Sequence, residues 1–281
     1  MVKKVSVINL KSRVGKSTLT ANLAWYFASV RPNPVKVLVV DLDPQFNVSQ
    51  YLLGMNEYEK ILTQGKLTTW NILEQDTTFS LPDKSRILNP HDLIHNVVNF
   101  VNDTRIDLIL SRLELAFSQR NPSEKAKFLS KTLAELEHEY DLILIDCAST
   151  ESVLTQAAYL ASDYLLVPIK LEYLCSIGLP PLVKSLHDFR NDYKNHNLEL
   201  AGLVFNSTSY YFPEAIYSRA VVRQIAEQNQ WYVFDAEVPY SRALAASAQE
   251  GRPIIPTSYD SSAQKEQFMT FTDEFAARIE L

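Results

Sequence analysis

Near its start the chain runs from an aliphatic, β-branched segment, Lys3–Asn9, into Leu10-Lys11-Ser12-Arg13-Val14-Gly15-Lys16-Ser17-Thr18. A stretch with helical spacing follows over Lys16–Ser29, with Leu19, Leu23, Tyr26 and Phe27 on one face. A glycine, a lysine and two hydroxyls at a strand-to-helix junction make a phosphate cradle. The free N–H groups and positive dipole end of the helix face anionic oxygens there. Lys16 is placed to reach β- and γ-phosphates and Ser17 to hold Mg²⁺. Arg13, Val14, Gly15 and Thr18 complete the candidate contacts. The full pattern G-x-x-x-x-G-K-[ST] is not met, because Leu10 stands where its first glycine belongs. On Gly15–Thr18 alone, an ordinary tight turn remains open.

The rest of the chain supplies context. Arg31-Pro32-Asn33-Pro34 breaks the first helix, and Val35–Val40 reads as a buried strand ending at Asp41. Residues 45–85 read as short helices and loops, and 86–110 are ambiguous apart from a strand at Ile106–Leu110. Alternation then sets in. Ser123–Glu139 is a helix with a serine cap, Leu142–Ile145 a strand ending at Asp146, and Val153–Ala161 a helix. Strands follow at Tyr164–Ile169 and Leu198–Phe205, and helices at Ser176–Tyr193, Pro213–Gln228 and Ala263–Ile279. This order predicts an α/β fold: a single doubly wound, mostly parallel sheet flanked by helices, as one domain over residues 1–281. Phe268, Phe271, Phe275 and Ile279 recur at helical spacing and read as core, because the opposite face is acidic.

With 46% hydrophobic residues in 281, a sizeable core is available without a staple. Two cysteines, Cys147 and Cys175, both in apolar surroundings, suit a reducing, cytoplasmic setting. The apolar run behind the basic start ends too soon for a signal peptide, and none is long enough to span a bilayer. The triplets at Asn47 and Asn206 are therefore expected to carry no glycan. A net charge of −6 is no nucleic-acid-binding composition. Residues 1–40, however, hold seven Lys or Arg and no acid, so anion contacts are expected from local patches.

Two further motifs lie at strand ends. Asp41-Leu42-Asp43-Pro44-Gln45 puts carboxylates at the carboxyl edge, where ligands bind in this architecture. Tyr140-Asp141-Leu142-Ile143-Leu144-Ile145-Asp146 is an aliphatic strand ending in an acid that suits Mg²⁺ bound through water. Each is weak alone; the three in this order are specific.

Together they resemble the ParA/MinD deviant Walker ATPases, and ParA-type partition ATPases most closely. The family's K-G-G-V-G-K-[ST]-T corresponds to Lys11–Thr18, and its V-x-[IVL]-D-x-D-P-Q-x-N to the segment ending Val40-Asp41-Leu42-Asp43-Pro44-Gln45-Phe46-Asn47. Val167-Pro168, Glu172-Tyr173, Gly178-Leu179, Val238-Pro239 and Gly251-Arg252-Pro253-Ile254 extend the resemblance over nearly the whole chain. The resemblance implies ATP and Mg²⁺ as ligands, and a homodimer that sandwiches nucleotide. It also implies nonspecific DNA binding in that dimer, a ParB-like or cargo-adaptor partner, and a nucleoid-associated cytoplasmic location without membrane contact. Lys11 corresponds to the signature lysine that reaches the partner's phosphates, and Asp41 to the acid that positions the attacking water. Asp41 and Asp146 join Ser17 as expected metal-site residues. Asn206 and Pro239 correspond to positions lining adenine, and no N-K-x-D guanine motif occurs.

Ser12 and Arg13 replace the family's two glycines, and Cys147-Ala148 replaces its proline pair. These departures bear on hydrolysis rate more than on nucleotide binding, and Arg13 is a candidate extra phosphate contact. For DNA, Arg219 and Arg223 share a helical face, with Arg242 beyond them; solvated arginines paired with acids are an equal alternative. His91 and His95 have the spacing of a zinc-binding helix but lack its glutamate, so coincidence is favoured. Two other functions stay open: a regulatory ATPase switch that does not act on DNA, and a metabolic P-loop enzyme on the same fold.

Overall fold

The computed structural model describes residues 1–75, 88–119, 122–172, 178–208, 214–241 and 262–281. Chain order begins with β1 (Lys3–Val7), α1 (Lys16–Trp25) and β2 (Val37–Leu42). Three short helices follow, α2 (Asn47–Leu53), α3 (Met55–Thr63) and α4 (Thr69–Leu73), then β3 (Ile94–Asn99) and β4 (Arg105–Ile109). The alternating part comprises α5 (Pro122–Leu136), β5 (Leu142–Cys147), α6 (Val153–Ala161), β6 (Tyr164–Lys170), α7 (Leu179–Asp192) and β7 (Glu199–Thr208). The last described elements are α8 (Glu214–Gln228), β8 (Val238–Pro239) and α9 (Ser262–Arg278).

One sheet carries these strands in the order β3-β4-β2-β5-β1-β6-β7-β8. Every neighbouring pair is parallel except β3 and β4. This is the doubly wound, mostly parallel sheet expected from the sequence. The chain moves outward from β1 in both directions, so the loop after β1 opens at the carboxyl edge where the winding reverses.

Alternation along the central strands divides the core. Leu38, Val40, Ile143 and Ile145 face the layer of α5, α6 and α7, whereas Val37, Val39, Leu142 and Leu144 face the layer of α1 and α9. Phe268, Phe271, Phe275 and Ile279 on α9 are buried in that second layer, the core role expected of them. Phe271 and Phe275 stack at 6.1 Å, and Phe27 meets Phe275 edge-on.

Several boundaries differ from expectation. α1 stops at Trp25 and passes into one wider turn through Val30, closed by Arg31 N–H donating to Tyr26 O at 3.0 Å. α5 begins at Pro122, one residue ahead of the expected start; proline suits that position because its missing N–H is not needed there. β2 runs to Leu42 and β5 to Cys147, beyond the acids expected to end them. The expected starts at Ser176 and Pro213 lie outside the described residues.

Candidate phosphate-binding site

The loop between β1 and α1 is fixed from three sides. Asn9 donates to Pro168 O at 2.9 Å and accepts from Lys11 N–H at 2.8 Å. Val14 is buried, and its carbonyl accepts from Asn206 Nδ2 at 2.7 Å. Gly15 has φ 86°, and a β-carbon there would stand 2.4 Å from Asn206 Nδ2. Glycine is therefore required at this position twice, by backbone angle and by the close approach. Arg13 also has a positive φ, 60°, where the sequence departs from the family glycine. A residue with a β-carbon bears a strain of about 1–3 kcal/mol in that region.

Lys16, the first residue of α1, is 6% exposed. Its ammonium donates to Asn9 O and to Ser149 Oγ. Burial lowers its pKa, opposed by the nearby carboxylates of Asp146 and Asp43. Beside it opens a cavity of about 600 Å³. Ser12, Arg13 and Gly15–Thr18 form one wall. Asp43, Pro44, Gln45 and Asn47 form another, with Tyr51 behind them and Ala148-Ser149-Thr150 closing the edge after β5.

The three acids have different environments. Asp41 lies inside β2, in register with Asp146 of β5, and is fully buried. Its Oδ2 accepts from Ser49 Oγ at 2.6 Å and Ser49 N–H at 3.0 Å, and its Oδ1 from Asp43 N–H at 3.1 Å. Burial and the facing Asp146 carboxylate raise its pKa. These bonds turn Asp41 toward α2 and away from the cavity wall. The water-positioning and metal-site role was expected at Asp41; among the described residues the acid that lines the cavity is Asp43. Asp43 lies one residue past the end of β2 and is 9% exposed, and its carboxylate accepts only from Gln45 N–H, at 2.9 Å, among the bonds of the described residues. Asp146 is fully buried beneath the loop. Thr20 Oγ1 donates to its Oδ1 at 3.3 Å, while its Oδ2 has no hydrogen-bond partner among the described residues. Burial pushes its carboxyl up to about 7, with Ser17 and Lys16 pulling the other way.

These residues fit a nucleotide phosphate with Mg²⁺. The turn at Gly15 presents backbone at the helix start, Lys16 supplies a buried cation, the Ser17 hydroxyl lines the cavity, and a buried carboxylate oxygen beside it lacks a donor.

Other expected residues are placed elsewhere. Lys11 is ion-paired with Glu172 at 3.2 Å, and Glu172 also holds Lys170 at 2.6 Å. Asn206 spends its amide donor on the loop, and neither it nor Pro239 lines the cavity. Pro239 is buried in β8, in register with Thr208. Arg219 and Arg223 do share a face, both over the Phe205 ring at 5.8 and 5.7 Å. Arg219 is further held by two 2.8 Å bonds to Glu237, which neutralise it within the fold; Arg223 is exposed. Arg242, Tyr173, Cys175, Glu250 and residues 251–254 lie outside the described residues. Cys147 is a buried free thiol, its pKa pushed up to about 12 by burial, as suits a packing residue. His91 sits in a 3₁₀ turn and His95 in β3, so no helix aligns them, and no group of metal-ligating side chains occurs among the described residues. The sequence reading gave no role to Ser149 or Tyr51. Strand ends at Leu42 and Cys147, had they been read, would have pointed to Asp43 and Ser149.

A family model described as an AAA domain, AAA_31, matches residues 2–200. The chain belongs to that family. It is similar to ParA-type partition ATPases. The chromosome-partitioning ATPase Soj of Treponema pallidum is 29% identical over 264 residues, covering 93% of this chain and 91% of its own. Among solved structures, an ATP complex of McdA from Cyanothece superposes with a TM-score of 0.78 at 16% identity, covering 100% of this chain and 97% of its own. A putative plasmid partition protein from Borrelia burgdorferi bound to AMPPNP gives 0.71 at 22%, covering 99% and 100%. The ParA-type fold thus extends past the family match to the end of the chain.

Proposed function

We propose that residues 1–281 form one ATPase domain that works as an ATP-gated dimerisation switch. The observation that carries this reading is the cavity over Gly15–Thr18, walled by Asp43, together with the buried Asp146 carboxylate, one oxygen of which has no hydrogen-bond partner among the described residues. Relatives named for chromosome partitioning and a neighbour bound to an ATP analogue support it. Gly15, Lys16, Ser17 and Thr18 hold the β- and γ-phosphates of ATP. Ser17 and Asp146 hold Mg²⁺, which when bound neutralises phosphate charge as the terminal phosphoryl group leaves. Asp43 orients the attacking water from the cavity edge. Lys11 leaves Glu172 and reaches the phosphates of a second copy, which ties nucleotide to dimer. Hydrolysis is slow and partner-stimulated. The ATP dimer binds DNA nonspecifically and recruits a ParB-like or cargo-adaptor protein, in the cytoplasm and on the nucleoid. Among the described residues no helix is long and apolar enough to cross a membrane.

Sizing chromatography with ATP and Mg²⁺, run beside Lys16→Ala and followed by DNA co-sedimentation, tests the reading. The wild type is expected to dimerise and sediment with DNA only with ATP, and Lys16→Ala to do neither. A wild type that stays monomeric with ATP refutes the switch. ATP dimers that ignore DNA remove only the DNA step.

A further inference from the structure

The loop carries three cations, and two are already engaged. Lys16 is buried and bonded to Asn9 O and Ser149 Oγ; Lys11 is paired with Glu172. Arg13 has no hydrogen bond or ion pair among the described residues, is exposed, and lines the cavity beside Gly15–Thr18 and across from Asp43. Its backbone is left-handed, at φ 60°, a region that favours glycine. An arginine seated where the backbone disfavours it, at the rim of a phosphate cavity, points to a role for the side chain.

Charge gives that role. Once a triphosphate enters, its negative charge joins the Asp43 and Asp146 carboxylates and outweighs what Mg²⁺ and Lys16 supply. On the proposed reading, in which Asp43 orients the attacking water, the excess is largest at the terminal phosphate. A guanidinium offers forked donors that match phosphate oxygens and stays charged at any physiological pH. Buried Val14 sits between two left-handed residues, Arg13 and Gly15, and is tied to Asn206. This anchor fixes where the Arg13 side chain leaves the loop.

We propose that Arg13 is an in-cis clamp on the terminal phosphate of the chain's own nucleotide, so that the chain distinguishes triphosphate from diphosphate before any partner contributes Lys11. This rests on the nucleotide reading of the cavity.

The test is equilibrium binding of ATPγS and of ADP, each with Mg²⁺, to the full chain as wild type, Arg13→Gly, Arg13→Lys and Lys16→Ala. Glycine suits φ 60°, so Arg13→Gly keeps the loop path; thermal unfolding without nucleotide is expected to match or exceed wild type. Losing one charge-assisted contact weakens ATPγS by roughly tenfold or more, with ADP within about twofold. Arg13→Lys restores part of the loss. Equal binding of both nucleotides by wild type and Arg13→Gly, or an equal loss for both, overturns the clamp. Loss of binding in Lys16→Ala upholds the nucleotide reading in either case. A wild type that binds neither nucleotide overturns both.

Discussion

Replacing Asp41 with alanine removes the acceptor from three buried donors: Ser49 Oγ at 2.6 Å, Ser49 N–H at 3.0 Å and Asp43 N–H at 3.1 Å. Each orphaned donor costs about 1–3 kcal/mol, so the sum starts near about 3 kcal/mol. Two effects reduce it. The Ser49 oxygen keeps one bond, accepting from Ser111 N–H at 3.2 Å, while its hydroxyl proton is free to rotate. A fully buried carboxylate facing Asp146 is also removed, and the raised pKa of Asp41 shows that its charge is disfavoured. The net expectation is a loss of about 2–3 kcal/mol, or about 5–10 °C in melting temperature for a chain of this size. Asp43→Ala loses only the acceptor for Gln45 N–H at 2.9 Å, about 1 kcal/mol. Its turnover, however, is expected to fall on the order of 10²–10⁴-fold. Thermal unfolding and steady-state phosphate release, the latter at a temperature where both variants are folded, separate the two roles. The reasoning is refuted if Asp41→Ala melts with wild type yet loses turnover, or if Asp43→Ala turns over at the wild-type rate.

Three other perturbations have worked outcomes. Gly15→Ala combines a φ of 86° with a β-carbon 2.4 Å from Asn206 Nδ2, so denaturant unfolding should show a loss of about 2–3 kcal/mol; a loss under half of that contradicts the close approach. Gly178→Ala places a β-carbon 2.6 Å from Asn9 Oδ1 and 3.0 Å from the Lys11 β-carbon, shifting the turn that leads into the loop. ATP turnover should drop at least roughly tenfold, and unchanged kinetics would count against that contact. His95 has its pKa lowered by burial, with Lys66 adding to the effect. The folded state then binds fewer protons than the unfolded chain, so stability is full above the unfolded pKa of about 6.5 and falls as pH drops through it. His95→Asn should flatten the fall in denaturation midpoint as pH drops below about 6.5; an unaltered slope means the charge is borne elsewhere.

Much of the fold could be read in advance because buried parallel strands and their covering helices leave long, different hydrophobic patterns. The edge strand β3 left none. Its residues are half-buried or exposed throughout, so neither alternation nor a continuous apolar run marks it. The ends of β2 and β5 are hidden in the sequence for a more specific reason. Hydropathy stops at Val40 and Ile145, but the ladder continues, pairing Asp41 with Asp146 and Leu42 with Cys147. A carboxylate continues a buried strand when its oxygens find donors. Ser49 supplies them to Asp41 and Thr20 supplies one to Asp146, both from the α1–α2 side. Moving the strand end by two residues exchanges the acid on the cavity for the acid behind it. Long-range partners were equally hidden: nothing near Val14 in sequence announces Asn206, and nothing near Lys11 announces Glu172.

That last pair bears on how the proposed dimer forms. Lys11 must leave Glu172 before it serves a second copy, so the strength of the pair decides whether it is a lock or a resting place. Glu172 has a depressed pKa, owed first to Lys170 and then to its own contact with Lys11. The Lys11 and Glu172 side chains are 21% and 46% exposed, and a pair this open to water contributes at most about 1 kcal/mol. Glu172 also keeps Lys170 at 2.6 Å when Lys11 departs, so no buried charge is stranded. Two such pairs open in a symmetric dimer, so release shifts the monomer–dimer balance by about 30-fold at most, small beside the attraction of two triphosphates for the two lysines. Glu172→Gln should tighten ATP-dependent dimerisation by no more than that factor in sedimentation equilibrium. A much larger gain would mean that the pair locks the monomer.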